Sequence, residues 1–153
     1  MKTSTDIYNT SISVGTINGK IIWNCSNAFN DIYFIKCDNA ISALVSCWVA
    51  YNGHLVVDIK NKSDNFDDLT LLIEFLITKC NMSLVLRSNN TLSTDAFNWI
   101  KYVLTYETPP ITLSDQAGNP LNFTELEKEW DSYLLEDGYG YTEIIIESIN
   151  REL

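Results

Sequence analysis

The sequence predicts an α+β fold: one domain, residues 1–153, with a largely antiparallel sheet, β-hairpins in the N-terminal half and about three helices. Three observations predict it. Two Asn-Gly pairs, Asn18-Gly19 and Asn52-Gly53, each divide runs rich in β-branched and aromatic residues. From Ser63 onward the apolar period lengthens from two residues to about 3.6. The 153 residues, 46% hydrophobic and 20% charged, suffice for one core and lie far from the composition of a disordered chain.

Ser11 to Cys25 alternates around Asn18-Gly19, two residue types that tolerate the positive φ of a type I′ turn. Pairing Ile17 with Lys20 puts Ile12, Val14, Ile21, Trp23 and Cys25 on one face, which is expected to meet the core. Ile32 to Cys37 reads as a third strand. "ALVSCWVAY" and "HLVVDIK" read as a second hairpin around Asn52-Gly53, with Leu44, Trp48, Leu55, Val57 and Ile59 on a shared face. A helix from Asp38 as N-cap to Gly53 competes, but Val45, Val49, Val56 and Val57 favour strands.

"SDNFDDLTLLIEFLITKCN" supplies a capping side chain, acids where the helix dipole favours them, and apolar residues at Leu69, Leu72, Ile73, Leu76 and Ile77, which together predict a helix. "MSLVLRS" predicts a short buried strand. "STDAFNWIKYVLTY" predicts a second helix with Phe97, Ile100, Val103 and Leu104 inward. "ETPPITLSDQAGNPLN" reads as a loop. Thr124, with Glu127 three residues on, forms a capping box for a third helix, and "TEIIIESI" reads as a closing strand.

The beginning, MKTSTDIYNT, has a lysine but no apolar run behind it, so no secretory signal is read and a cytoplasmic protein is expected. The N-x-S/T triplets then have no role as glycan acceptors. The longest apolar stretches, Ala40 to Tyr51 and Leu69 to Ile77, are too short to span a bilayer. Cys25, Cys37, Cys47 and Cys80 lack the close spacing that grips zinc and are expected to be reduced core thiols. His54 is the only histidine, so no multi-histidine metal site can form, and no cofactor is expected.

The net charge of −10 is unevenly placed. Residues 1–105 hold eight Lys/Arg against nine Asp/Glu, a balance of −1; residues 106–153 hold two against eleven, a balance of −9. Such a field repels nucleic acid phosphates and anionic membranes and steers basic partners over the ~8 Å screening length of physiological salt. The expected partner is a basic protein.

One stretch suggests catalysis. "VVDIK" puts Asp58 and Lys60 on one face of a strand, as in the D-x-K element of PD-(D/E)xK nucleases, where the carboxylate binds metal and the lysine positions the attacking water. The preceding strand carries no acid to supply that family's second carboxylate. "SDNFDD" lacks the glycine and terminal glutamate of a calcium loop. The chain contains no P-loop, dinucleotide fingerprint, nucleophile elbow or basic-aromatic groove.

The densest acidity lies in "EKEWDSYLLEDGYGYTEIIIES", residues 127–148, where seven acids surround one lysine. On a helical wheel Leu126, Trp130, Tyr133 and Leu134 form a stripe, bordered by Glu125, Glu129 and Glu136 on one side and by Glu127 and Asp131 on the other. Asp137 follows, and Gly138 and Gly140 present Tyr139 and Tyr141 on a bend. An amphipathic surface helix accounts for the stripe. Aromatics set among charges also match the composition of binding hot spots, which makes Glu125, Glu127, Glu129, Asp131, Glu136, Asp137, Tyr139 and Tyr141 the candidate partner-binding residues.

In size, acidity and lack of catalytic motifs the chain resembles the immunity proteins of bacterial toxin systems, such as those of contact-dependent growth inhibition. That resemblance implies a cytosolic inhibitor, itself not an enzyme, which binds a toxin domain, often a nuclease, and blocks its active site or another essential surface. It transfers no site residues. The alternatives are a DNA-charge mimic acting on a nucleic-acid-binding enzyme, a subunit of an acidic assembly, and a metal nuclease using Asp58 and Lys60.

Overall fold

The computed structural model describes residues 11–26, 31–49, 55–79, 81, 83–87, 93–105, 111–122, 124–128 and 143–148. Among these residues eight strands form one sheet: β1 (Ile12–Ile17), β2 (Lys20–Ser26), β3 (Asp31–Cys37), β4 (Ala40–Val49), β5 (Leu55–Asn61), β6 (Leu84–Arg87), β7 (Ile111–Ser114) and β8 (Glu143–Ser148), in the order β1-β2-β3-β4-β5-β6-β8-β7. Every pairing is antiparallel except β5 with β6, which are joined by helix α1 (Asp67–Thr78). Helix α2 (Thr94–Leu104) follows β6, and residues 124–128 are helical. The α+β class read from the sequence is the observed one.

The first hairpin turns at Asn18 (φ 48°) and Gly19 (φ 79°), with Ile17 opposite Lys20 as expected. Its facing differs from expectation. The register shifts between Ser13 and Gly15; Ile22 is buried in the core, while Ile12, Val14 and Ile21 are exposed. Trp23 lies on the far face with Lys36 Nζ 4.4 Å from its ring centre, and of the five residues expected in the core only Cys25 is buried. Close packing against α1 selects the inward face: a Cβ on Gly15 would lie 2.8 Å from the Phe75 ring.

The second hairpin is also real but out of register with the sequence reading. A two-residue turn at Asn52-Gly53 would set Trp48 opposite Val57; the structure sets Trp48 opposite Val56 and Val49 opposite Leu55. That one-residue difference exchanges faces. Val45, Cys47, Val57 and Ile59 join the core, whereas Leu44 and Trp48 turn to the far face, which also buries Phe34 and Val56. A tight turn at Asp38-Asn39, between Cys37 and Ala40, starts β4 at Ala40; Asp38 takes φ 58°, tolerated by its short polar side chain. Cys25 and Cys47 are buried and form no disulfide; Cys37, at this turn, is exposed rather than part of the core, and Cys80 and His54 lie outside the described residues.

Helix α1 contacts β1, β3, β4, β5 and β8 and buries Leu69, Leu72, Ile73, Leu76 and Ile77, as its periodicity predicts. Its N-cap, Phe66, makes no side-chain cap bond; Asn65 Oδ1 accepts from Asp67 N at 3.0 Å, so the turn before the helix does the capping. Asp68 fixes the helix to the sheet, with Ser42 Oγ at 2.7 Å and Lys20 Nζ at 3.5 Å. Helix α2 is capped by Ser93 and buries Ala96, Trp99, Ile100 and Val103. Phe97 and Leu104, expected inward, are only partly buried. Trp99 takes the central place because its indole N–H reaches Thr70 Oγ1 at 3.1 Å across the helix pair.

The expected loop at 107–122 contains β7. Ile111 and Leu113 point into the core and Thr112 outward, an alternation too short to stand out beside Pro109, Pro110 and the turn formers that follow. Pairing to β8 also makes β8 an interior strand of the sheet.

Candidate binding surface

The cap of the 124–128 segment is Asn122, not the Thr124–Glu127 box: Asn122 Oδ1 accepts from Glu125 N at 3.2 Å and Asn122 O from Leu126 N at 2.9 Å. Leu126 is buried in the core cluster while Glu125 and Glu127 are exposed on either side of it in sequence. The core contact of Leu126 thus holds both carboxylates outward, at the positive end of a helix where they are stabilised. Glu129, Asp131, Glu136, Asp137, Tyr139 and Tyr141, with Trp130, Tyr133 and Leu134, lie outside the described residues.

Other acids in the C-terminal region have structural partners. Asp115 Oδ1 accepts from the backbone N–H groups of Ala117 and Asn119, both at 2.9 Å, closing the turn in which Gly118 takes φ 88°. Glu143 is buried opposite Arg87 in the β6–β8 register, with Arg87 Nη2 at 2.7 Å and Nε at 3.1 Å from Glu143 Oε2. Sequence reasoning passed over this pair. Its signal was present: one arginine closing the apolar run "LVLR" and one glutamate opening the apolar run "EIII".

Asp58 and Lys60 share the far face of β5, 4.0 Å apart. Burial raises the Asp58 pKa above its ordinary value, Lys60 lowers it in part, and the Asp95 carboxylate raises it further. Their partners on β4 are Ser46 and Leu44, so the paired strand presents no second carboxylate there. Asp95 itself accepts from Asn61 N at 3.0 Å. Among the described residues no group of three His, Cys, Asp or Glu side chains is arranged to hold a metal ion, and no helix is long and apolar enough to cross a membrane. Comparison with protein families, with curated proteins and with solved structures finds no match.

Proposed function

We propose that the protein is a stoichiometric binding protein whose acidic C-terminal third captures a basic protein partner, acting as an immunity protein that neutralises a cognate toxin domain. The observation that carries this reading is the outward fixation of Glu125 and Glu127 around buried Leu126, within a stretch of balance −9. A helix backbone anchored by a buried residue sets the direction in which its neighbouring exposed carboxylates project, towards an approaching cationic surface and at the helix end where negative charge is stabilised. Rim charges of this kind act chiefly on the encounter rate.

The test is to isolate the partner from bacterial cytosol with the tagged chain and measure association at two salt concentrations, using wild type and Glu125→Lys/Glu127→Lys. The variant is expected to associate about tenfold more slowly at low salt and to show a flatter salt dependence, with its melting temperature little changed. Equal association rates for the two proteins at both salt concentrations would refute the reading. Recovery of DNA-handling enzymes in place of a basic toxin would instead support charge mimicry.

A further inference from the structure

Helix α1 carries no basic residue in its last turn, so the cap residue Lys79 is the first cation at its negative end. Glu74 precedes that turn. Between this end of the helix and the first hairpin turn lies a cavity of about 400 Å³, lined by Thr16, Ile17, Asn18, Glu74, Thr78 and Lys79. Ile17 and Glu74 are half-buried there, and the other four residues are exposed. The Thr78 hydroxyl donates to the Glu74 backbone carbonyl at 2.7 Å, which leaves the Glu74 carboxylate to the cavity. Among the described residues no ion pair uses that carboxylate. Burial alone raises its pKa above the ordinary value, whereas at Asp58 the attraction of Lys60 works against burial.

We propose that this cavity binds a small zwitterion of the basic amino-acid type, its guanidinium or ammonium group held by Glu74 and the negative end of α1, its carboxylate by Lys79. Size, charge and spacing select that class. The volume falls within the range of small-molecule sites, about 300–1,000 Å³, and is far more than a bare metal ion fills. The half-buried charge is negative, and a partly desolvated carboxylate binds a charged donor more strongly than a neutral one. Lys79, on the same cavity, repels a ligand that is cationic throughout and attracts one that carries a carboxylate. Glu74 and Lys79 stand five residues apart, a rise of about 7.5 Å along the helix, which suits the two ends of an extended basic amino acid better than the adjacent charges of a short one. Thr16 and Asn18 add hydroxyl and amide groups for the ligand's remaining polar atoms, on a wall that the tight turn at Asn18 (φ 48°) shapes in advance. The inference does not depend on the basic partner proposed above.

Titration of the full chain with L-arginine and with L-lysine, read by calorimetry and by amide NMR shifts, tests this. Agmatine, which lacks the carboxylate of arginine, and norvaline, which lacks its guanidinium, are the comparison ligands. At least one basic amino acid is expected to bind saturably with a dissociation constant of about a millimolar, shifting amides in 16–18 and 74–79. Agmatine should bind about tenfold more weakly than arginine, and norvaline without saturation. Glu74→Gln keeps the side-chain shape and the Thr78 bond to its backbone, and should weaken binding about tenfold or more. Lys79→Gln should bring arginine down to the level of agmatine. Glu127→Gln, at an exposed carboxylate outside the cavity, should change nothing, and circular dichroism should match wild type in all three variants. Saturable binding of neither amino acid overturns the proposal, as do shifts centred elsewhere or agmatine binding as tightly as arginine. Indifference to Glu74→Gln or Lys79→Gln would also overturn it, and so would an equal loss in Glu127→Gln, the mark of attraction to net charge alone.

Discussion

Replacing Glu143 by Gln keeps the shape of the side chain and removes the charge that balances Arg87. The two residues are direct cross-strand partners, with side chains 8% and 7% exposed and a closest N–O distance of 2.7 Å. Neither charge can turn to water without opening the β6–β8 pairing. Removing one partner from such a pair costs about 3–5 kcal/mol, because the remaining ion stays buried after losing its counter-charge. For a domain of this size that corresponds to a melting-temperature loss of about 6–20 °C, and to a large part of a typical total stability of about 5–15 kcal/mol.

The double variant Arg87→Met/Glu143→Leu should behave oppositely. It leaves no unpaired charge and replaces the pair by apolar volume, so it should be near neutral or more stable by about 1–4 kcal/mol. Urea titration followed by far-UV circular dichroism, with a thermal scan in parallel, measures both. A Glu143→Gln variant within about 1 kcal/mol of wild type would refute the argument, since the buried guanidinium would then have found other compensation.

Two further outcomes follow from local geometry. Gly15→Ala should destabilise by about 1–3 kcal/mol, because the new methyl would lie 2.8 Å from ring carbons of buried Phe75; adding Phe75→Leu should recover part of that loss, and an alanine variant as stable as wild type in urea would sink the idea. Asp58→Asn should raise stability at neutral pH: burial lifts the native carboxyl above its ordinary 3.8, so the native state holds the proton more tightly and its advantage, complete below the unfolded value, is lost as pH rises through the folded value. Urea midpoints from pH 3 to 7 should fall with rising pH more steeply in wild type than in the variant; an Asn variant less stable at pH 7 would show instead that attraction to Lys60 outweighs burial.

The elements whose signals are local were legible in the sequence. Asn18-Gly19 fixed a turn and its register because only a few residue types accept two successive positive φ values. The stripe of α1 from Leu69 to Ile77 was legible for the same reason, as period and capping agree over three turns. Facing in the sheet was not legible, because both sides of β2 through β5 bury apolar residues and alternation loses its meaning when Phe34 and Ile35 are both inside. Under those conditions a one-residue slip, as around Trp48, leaves no trace in the pattern. β7 was hidden differently: its four residues are paired along their whole length with β8, nearly thirty positions on.

The candidate surface was legible as charge but not as geometry. A count of carboxylates gives each the same weight, whereas the fold divides them by task. Asp67 accepts from the Tyr102 hydroxyl, Asp68 ties α1 to Ser42 and Lys20, and Asp115 closes a turn. The hydrogen bonds of Asp67 and Asp115 fix a carboxylate in place without cancelling its charge, so these two still add to the long-range field, while Asp68 is offset by Lys20 within the same part of the chain. Glu143 differs, because Arg87 neutralises it within the protein. Removing that pair from the count lowers the C-terminal balance from −9 to −8 and makes the remainder −2. The asymmetry survives this correction, so steering by the C-terminal end does not depend on Glu143. Glu125 and Glu127 are therefore the informative positions for charge reversal: both are exposed, and the hydrogen bond that caps their helical segment comes from Asn122 rather than from either carboxylate. A rate change on reversing them would report on the field itself, whereas the same substitution at Asp115 or Glu143 would mix lost charge with lost structure.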